Sequence, residues 1–217
     1  MTGEGPVSAV HLDAIPVTAS EGVTQWRAVR RHLGIESFGI NAFQADTAGD
    51  PVIEDHTETS SGAAGHEELY LVQRGHARFT VEGSELDAPA GTLVFVRDPA
   101  ARRGAVAVEP DTLVLAFGGT PGEPYVPSPW EYYAPAWALS QAGDHEGALR
   151  LVSDGLERYP ERATLLYNMA CYEALSGHAD SAVDHLRKAV EIEPRMAEWA
   201  SDDTDLDSIR DRPDYPA

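Results

Sequence analysis

The sequence predicts a chain in two parts, an antiparallel β-barrel over residues 1–120 and a helical unit over 131–217. Three observations carry this reading. Short apolar runs broken by Gly and Pro crowd residues 36–118, the density expected of a sandwich or barrel. Beyond residue 130 the strand signals stop and helical spacing begins. Between them, Gly118 to Pro129 carries Pro121, Pro124, Pro127 and Pro129, the mark of a semi-rigid extended linker, which we place at 121–130.

Composition limits what such a chain can do. The 217 residues are 42% hydrophobic and 24% charged, values of a globular protein long enough to bury a real core. The net charge of −20 repels phosphate backbones and anionic lipid, so neither nucleic acid nor membrane is an expected partner. No run approaches the ~20 apolar residues of a membrane span, and Met1 to Ala14 shows no signal-peptide pattern. The expectation is a cytoplasmic protein. Cys171 is the only cysteine, which excludes an intramolecular disulfide and any multi-thiolate metal site.

In chain order, residues 1 to about 20 are turn-rich and read as an arm or a short edge strand over Ala9 to Ile15. Thr24 to Leu33 places Trp26, Val29 and Leu33 at helical spacing with Arg27, Arg30 and Arg31 opposite, and Gly34 ends that helix. Glu36 to Gln44 and Pro51 to Glu58 are strands, the second carrying His56 and Glu58. Ser60 to Gly65 is a loop.

The stretch His66 to Gly75 organises the first half. On a strand, alternate side chains share a face, so His66, Glu68, Tyr70 and Val72 lie together, a carboxylate and an imidazole among apolar neighbours. Further strands are expected over Arg78 to Glu82, around Leu86, and over Thr92 to Val96, Gly104 to Val108 and Asp111 to Phe117.

The second half repeats itself. Gly143 recurs as Gly177, Ala148 as Ala182 and Pro160 as Pro194, all at a spacing of about 34 residues, that of tetratricopeptide repeats. The first repeat is degenerate at its opening, where Pro135 sits. The second runs from Leu166 and Met169 to Pro194. The terminal Asp203-Thr-Asp205-Leu206, Ile209-Arg210 and Pro213 resemble the cap of tetratricopeptide arrays of the end-of-group type. Two repeats fall short of the three that usually stand alone. Trp130, Tyr132, Tyr133 and Trp137 are therefore expected to pack the helices onto the barrel or onto another chain.

Residues 36–118 resemble the cupin superfamily, a small jelly-roll β-barrel with two signature motifs. Glu68, six residues and Gly75 fit the end of the first motif, and Pro89-Ala90-Gly91 fits the second. The resemblance implies a homodimer formed through the sheets. It also implies a metal site, from which this chain departs. The usual H-x-H positions fall on Gly62 to Ala64, and the usual last histidine is Val94, which offers no lone pair. If residues 60–65 are an inserted loop, His56, Glu58, His66 and Glu68 could converge instead, a set suited to Fe(II), Mn, Zn or Ni.

Each residue also has a plainer reading. His66 could cap the strand at the barrel rim. A buried Glu68 needs a partner, and Arg102 or Arg103, one of which should point inward, could supply it. The inward arginine could equally hold a ligand carboxylate while Glu68 or Tyr70 moves a proton. Cys171 reads as a buried packing residue.

Two function classes fit this pattern. One is a small-molecule-binding barrel with a degenerate metal site or no metal, its ligand carrying a carboxylate and its helical repeats contacting a protein. The other is an enzyme, either of dioxygenase or isomerase type using one divalent transition metal on His56, Glu58, His66 and Glu68, or a metal-free lyase or isomerase using Glu68, Tyr70 and an arginine.

Overall fold

The structure, a computed structural model, describes residues 8–18, 24–60 and 62–216. The expected N-terminal arm falls partly on residues 1–7, outside the described residues, as does Ser61 of the loop over 60–65. The chain divides into Met1–Pro127 and Ser128–Ala217, and each unit has its own apolar core.

The first unit is built from β1 (Gln25–Arg27), α1 (Val29–Leu33), β2 (Gly39–Ala45), β3 (Pro51–His56), β4 (Glu67–Arg74), β5 (His76–Val81), β6 (Ser84–Pro89), β7 (Leu93–Val96), β8 (Arg103–Ala107) and β9 (Thr112–Gly119). These strands form two antiparallel sheets, in the orders β1-β2-β9-β4-β7 and β3-β8-β5-β6. Tyr70 and Val72 from the first sheet and Val52, Ala77, Phe79 and Ala105 from the second fill the space between them. Alternation does this locally: on β5, Ala77 and Phe79 are buried while Arg78 and Thr80 are exposed.

Pairing register places the polar residues. Glu68 lies opposite Val96 on β7 and Gly118 on β9. Across the sandwich, His56 lies opposite Arg103, which in turn lies opposite Val81. Glu68 and Tyr70 thus come from one sheet and His56 and Arg103 from the other.

Two expectations near the N-terminus are corrected. Thr24 to Leu33 is not one helix, because Gln25–Arg27 pairs with β2 as an edge strand and only Val29–Leu33 is helical. Sheet pairing of the buried Trp26 overrides the helical spacing. Gly34 does end that helix, with φ of 68°. In place of a strand over Ala9 to Ile15 there is a 3-10 turn at Leu12–Ala14. Ile15, with Val29, Leu12 and Leu33, covers Ala42, Ile40 and Leu113 on the outer side of the five-stranded sheet. On the same sheet's edge strand β7, Leu93 and Phe95 stay 61% and 46% exposed.

The second unit consists of α2 (Trp130–Gln141), α3 (His145–Arg158), α4 (Ala163–Leu175), α5 (Ala179–Ile192), α6 (Met196–Asp202) and a terminal 3-10 turn at Thr204–Leu206. The 34-residue spacing has a structural counterpart: α3 and α5 are both 14 residues long. Gly143 and Gly177 precede them with φ of 83° and 81°, left-handed turns that suit glycine. α2 runs continuously through Pro135. Tyr132 belongs to this unit's core, where a Cβ on Gly155 would lie 3.0 Å from its ring. Arg210 closes the C-terminus by donating to the carbonyls of Ala200 and Asp203, each at 2.6 Å. Among the described residues no helix is long and apolar enough to cross a membrane.

Gly75, between β4 and β5, has φ of 73°, and a Cβ there would lie 2.8 Å from the Thr112 backbone. Gly75→Ala therefore combines left-handed strain with a backbone clash. We expect it to destabilise the barrel by about 2–4 kcal/mol in urea unfolding; a loss below about 0.5 kcal/mol, the range of a neutral surface change, contradicts this reading.

Candidate functional site

The polar residues collect between the two sheets around the Glu68 carboxylate. Glu68 Oε2 accepts a hydrogen bond from the Tyr70 hydroxyl, lies 3.3 Å from Arg103 Nε and 3.4 Å from His56 Nε2. Tyr70 and Glu68 are two residues apart on β4, so the pleat sets them on one face. Arg103 is fully buried. Its Nη1 donates to the carbonyls of Pro99 and Ala101 at 3.0 and 2.8 Å, which fixes the guanidinium, while Nε and Nη2 have no hydrogen-bond acceptor. Arg103 is the inward arginine. Arg102, just before β8, is exposed and pairs with Asp55 at 2.6 Å.

His56 ends β3, and its Nδ1 donates to the Glu54 carbonyl at 2.7 Å. That bond leaves Nε2 to face the carboxylates, 3.7 Å from Glu58 Oε1 and 3.4 Å from Glu68 Oε2. Glu58 lies two residues past the strand. Its backbone N–H donates to the Pro99 carbonyl at 2.9 Å, and its carbonyl accepts from Gly65 N–H at 2.9 Å. These bonds tie Glu58 to Pro99 on one side and to Gly65 on the other. Glu58 is buried, and Glu68 and His56 progressively less so.

This environment shifts the titrations. Burial opposes the charged imidazole of His56, but the Glu68 hydrogen bond, the Glu54 carbonyl and the Glu68 charge outweigh it and raise its pKa above the ordinary value. Burial, followed by the Glu68 charge, raises the pKa of the Glu58 carboxyl. Burial and the adjacent Glu68 push the Tyr70 hydroxyl well up, so it stays protonated and donates.

His56, Glu58 and Glu68 form a group able to hold a metal ion, their ligand atoms all within 4.8 Å of one another. Bonds of about 2.1 Å put two ligands of one ion at most about 4.2 Å apart, so both His56 contacts fit as they stand. The Nδ1 bond to Glu54 also selects the tautomer whose Nε2 lone pair is free for a metal. His66 lies outside this group. Its Nδ1 is 3.9 Å from Glu58 Oε2, and its Nε2 bonds to the Val126 carbonyl at 3.0 Å. The position of the expected last histidine, Val94, is buried opposite Tyr70.

Sequence reasoning missed Tyr125 and Val126, which it assigned to a linker. The Tyr125 ring packs on His66 at 5.1 Å between centroids. A lone aromatic in a proline-rich run was the available signal. Cys171, Asp203 and Asp205 make a second group in the helical unit. There Asp203 accepts from Tyr167 at 2.8 Å and from the Asp205 N–H at 3.0 Å, so it serves the C-terminal cap. Burial pushes the Cys171 thiol far up, which keeps it protonated and a poor ligand.

No protein-family model matches the chain, and no curated protein matches it. Solved structures do. KdgF from Halomonas sp. is 20% identical, with a TM-score of 0.42, over 52% of this chain and 92% of its own. An RmlC-like cupin from Shewanella frigidimarina is 15% identical, TM-score 0.38, over 52% and 91%. A sugar phosphate isomerase of the cupin superfamily from Silicibacter pomeroyi is 15% identical, TM-score 0.41, over 52% and 77%. These similarities cover the N-terminal half. The chain is a β unit of two antiparallel sheets followed by a helical one, in the order the sequence predicts.

Glu68→Gln removes the counter-charge of a fully buried guanidinium and should cost about 3–5 kcal/mol of stability. It also removes the Glu68 charge and weakens the Glu68 hydrogen bond, two of the three causes that raise His56, so the imidazole midpoint measured by NMR should fall. In the wild type the folded value exceeds the unfolded 6.5, so the His56 contribution is complete below pH 6.5 and fades as pH rises through the folded value. An unchanged midpoint in the variant sinks this assignment.

Proposed function

We propose that the barrel is a small-molecule-binding site in which His56, Glu58 and Glu68 hold one divalent transition metal and Arg103 faces an anionic ligand. The observation that carries the reading is the approach of His56 Nε2 to both carboxylates, at 3.4 and 3.7 Å. Charge supports it. Two carboxylates and one buried guanidinium leave the cluster one negative charge in excess, and a divalent ion reverses this to one positive charge. A small carboxylate-bearing ligand then neutralises the site, and Arg103, whose Nε faces Glu68 and whose Nη2 lacks an acceptor, suits that group.

A second reading, an enzyme of dioxygenase or isomerase type, is favoured by the Tyr70–Glu68 hydrogen bond. A bound metal would supply Lewis acidity toward a ligand oxygen. Tyr70, kept protonated, would orient Glu68 through its hydrogen bond, and Glu68 would take a proton from the ligand and return it. His66 takes no ligand role in either version.

The reading also includes a helical unit of the tetratricopeptide type that contacts a protein, and a homodimer. Leu93 and Phe95 are the apolar surface a second copy would cover. Light scattering should give twice the monomer mass, and a monomer at micromolar concentration rejects that part.

Elemental analysis of untagged protein tests the metal. One divalent ion per chain, lost in His56→Ala and Glu68→Ala, is expected. No uptake from Mn, Fe(II), Zn or Ni solutions removes the metal and leaves only the carboxylate–guanidinium pocket.

A further inference from the structure

The segment that follows β9 does not leave the barrel as a free linker. Tyr125 lies against the His66 ring, with centroids 5.1 Å apart and planes tilted by 32°. The Arg30 guanidinium stands 5.6 Å from the Tyr125 centroid. Two glycines leave room for this arrangement. A Cβ on Gly39 would lie 2.7 Å from the Tyr125 hydroxyl oxygen, and one on Gly118 would lie 3.3 Å from His66 Nδ1. Gly39 and Gly118 are direct register partners on β2 and β9, so a single shelf without side chains accepts both rings.

His66 joins this shelf to the site. A carbonyl oxygen only accepts, so the bond of 3.0 Å to Val126 requires a proton on Nε2 of His66. That bond fixes the ring, whose Nδ1 lies 3.9 Å from Glu58 Oε2, beyond hydrogen-bond reach, so the hold of His66 on Glu58 runs through its backbone. The backbone N–H of His66 also donates to Glu58 Oε2, at 3.4 Å. The other oxygen, Oε1, faces His56. Glu58 therefore stands between His56 on one side and His66 on the other, and moving either oxygen moves both contacts.

We infer that His66 is a positioning residue that ties Glu58 to the 120–127 segment, so that a divalent cation on His56, Glu58 and Glu68 and the docking of that segment stabilise each other. This rests on the metal reading given above. The coupling is reciprocal by thermodynamic necessity: if the cation tightens the segment, the docked segment tightens the cation. Residues 120–127 lead into the helical unit, so barrel occupancy is felt in the chain that connects the two units.

Hydrogen exchange on the full chain, with and without saturating Mn(II) and with Mn(II) affinity measured alongside, tests the coupling. In the wild type Mn(II) should slow exchange over 120–127 several-fold. His66→Asn keeps the backbone N–H but releases the ring's hold on Tyr125 and Val126, so it should bind Mn(II) several-fold more weakly, and at saturation should lack the protection. Should His66→Asn fail to fold, Tyr125→Leu probes the link from the other end and should weaken Mn(II) binding about fivefold or more. His56→Ala in the same buffer should show neither binding nor protection. Wild-type protein that takes up Mn(II) with exchange over 120–127 unchanged overturns the coupling and leaves the metal site standing. So does full protection in His66→Asn, or undiminished affinity in Tyr125→Leu. A wild type that binds no Mn(II) overturns the Mn(II) site and the coupling with it.

Discussion

The buried pair between Arg103 and Glu68 is the contact on which the barrel site depends. A guanidinium with no solvent exposure is tolerated only with a counter-charge and acceptors. Here the counter-charge is Glu68 and the acceptors are the carbonyls of Pro99 and Ala101. The same Pro99 carbonyl accepts from Glu58 N–H, so the turn that orients Arg103 also orients Glu58. Because Glu68 and Arg103 belong to opposite sheets, their pair fixes the spacing across which His56 must reach.

That arrangement serves either protonation or ligation at His56. Without a cation, its raised pKa lets the imidazole share the negative charge of the two carboxylates. With a cation, the Glu54 carbonyl keeps Nδ1 protonated and Nε2 free. The site exchanges a proton for a metal with little rearrangement, and metal uptake should release that proton. Tyr70, buried and held protonated, stays a donor in both states.

Much of this was legible in the sequence because it rests on strand alternation. The period of two puts Glu68, Tyr70 and Val72 on one face whatever the rest of the barrel does, and the glutamate, six residues and glycine ending at Gly75 marks the turn. The choice between Arg102 and Arg103 was not legible, since a shift of one residue in register exchanges their faces. Nor was the role of His66. It precedes β4, where alternation no longer binds the backbone, and its ring follows Tyr125 and Val126, some 60 residues on. Gln25–Arg27 carried helical spacing yet became an edge strand, because pairing with β2 buries Trp26. These departures share one cause: contacts distant in sequence outweighed the local pattern.

The central claim is that His56, Glu58 and Glu68 share one cation while His66 stands behind them. A Mn-loaded crystal, with anomalous differences collected on either side of the manganese edge, addresses it directly. The account predicts one strong peak bonded to His56 Nε2 and to oxygens of Glu58 and Glu68, with His66 Nε2 still on the Val126 carbonyl. A peak with His66 as a ligand, or a strong site at Cys171, Asp203 and Asp205 with none in the barrel, would contradict it.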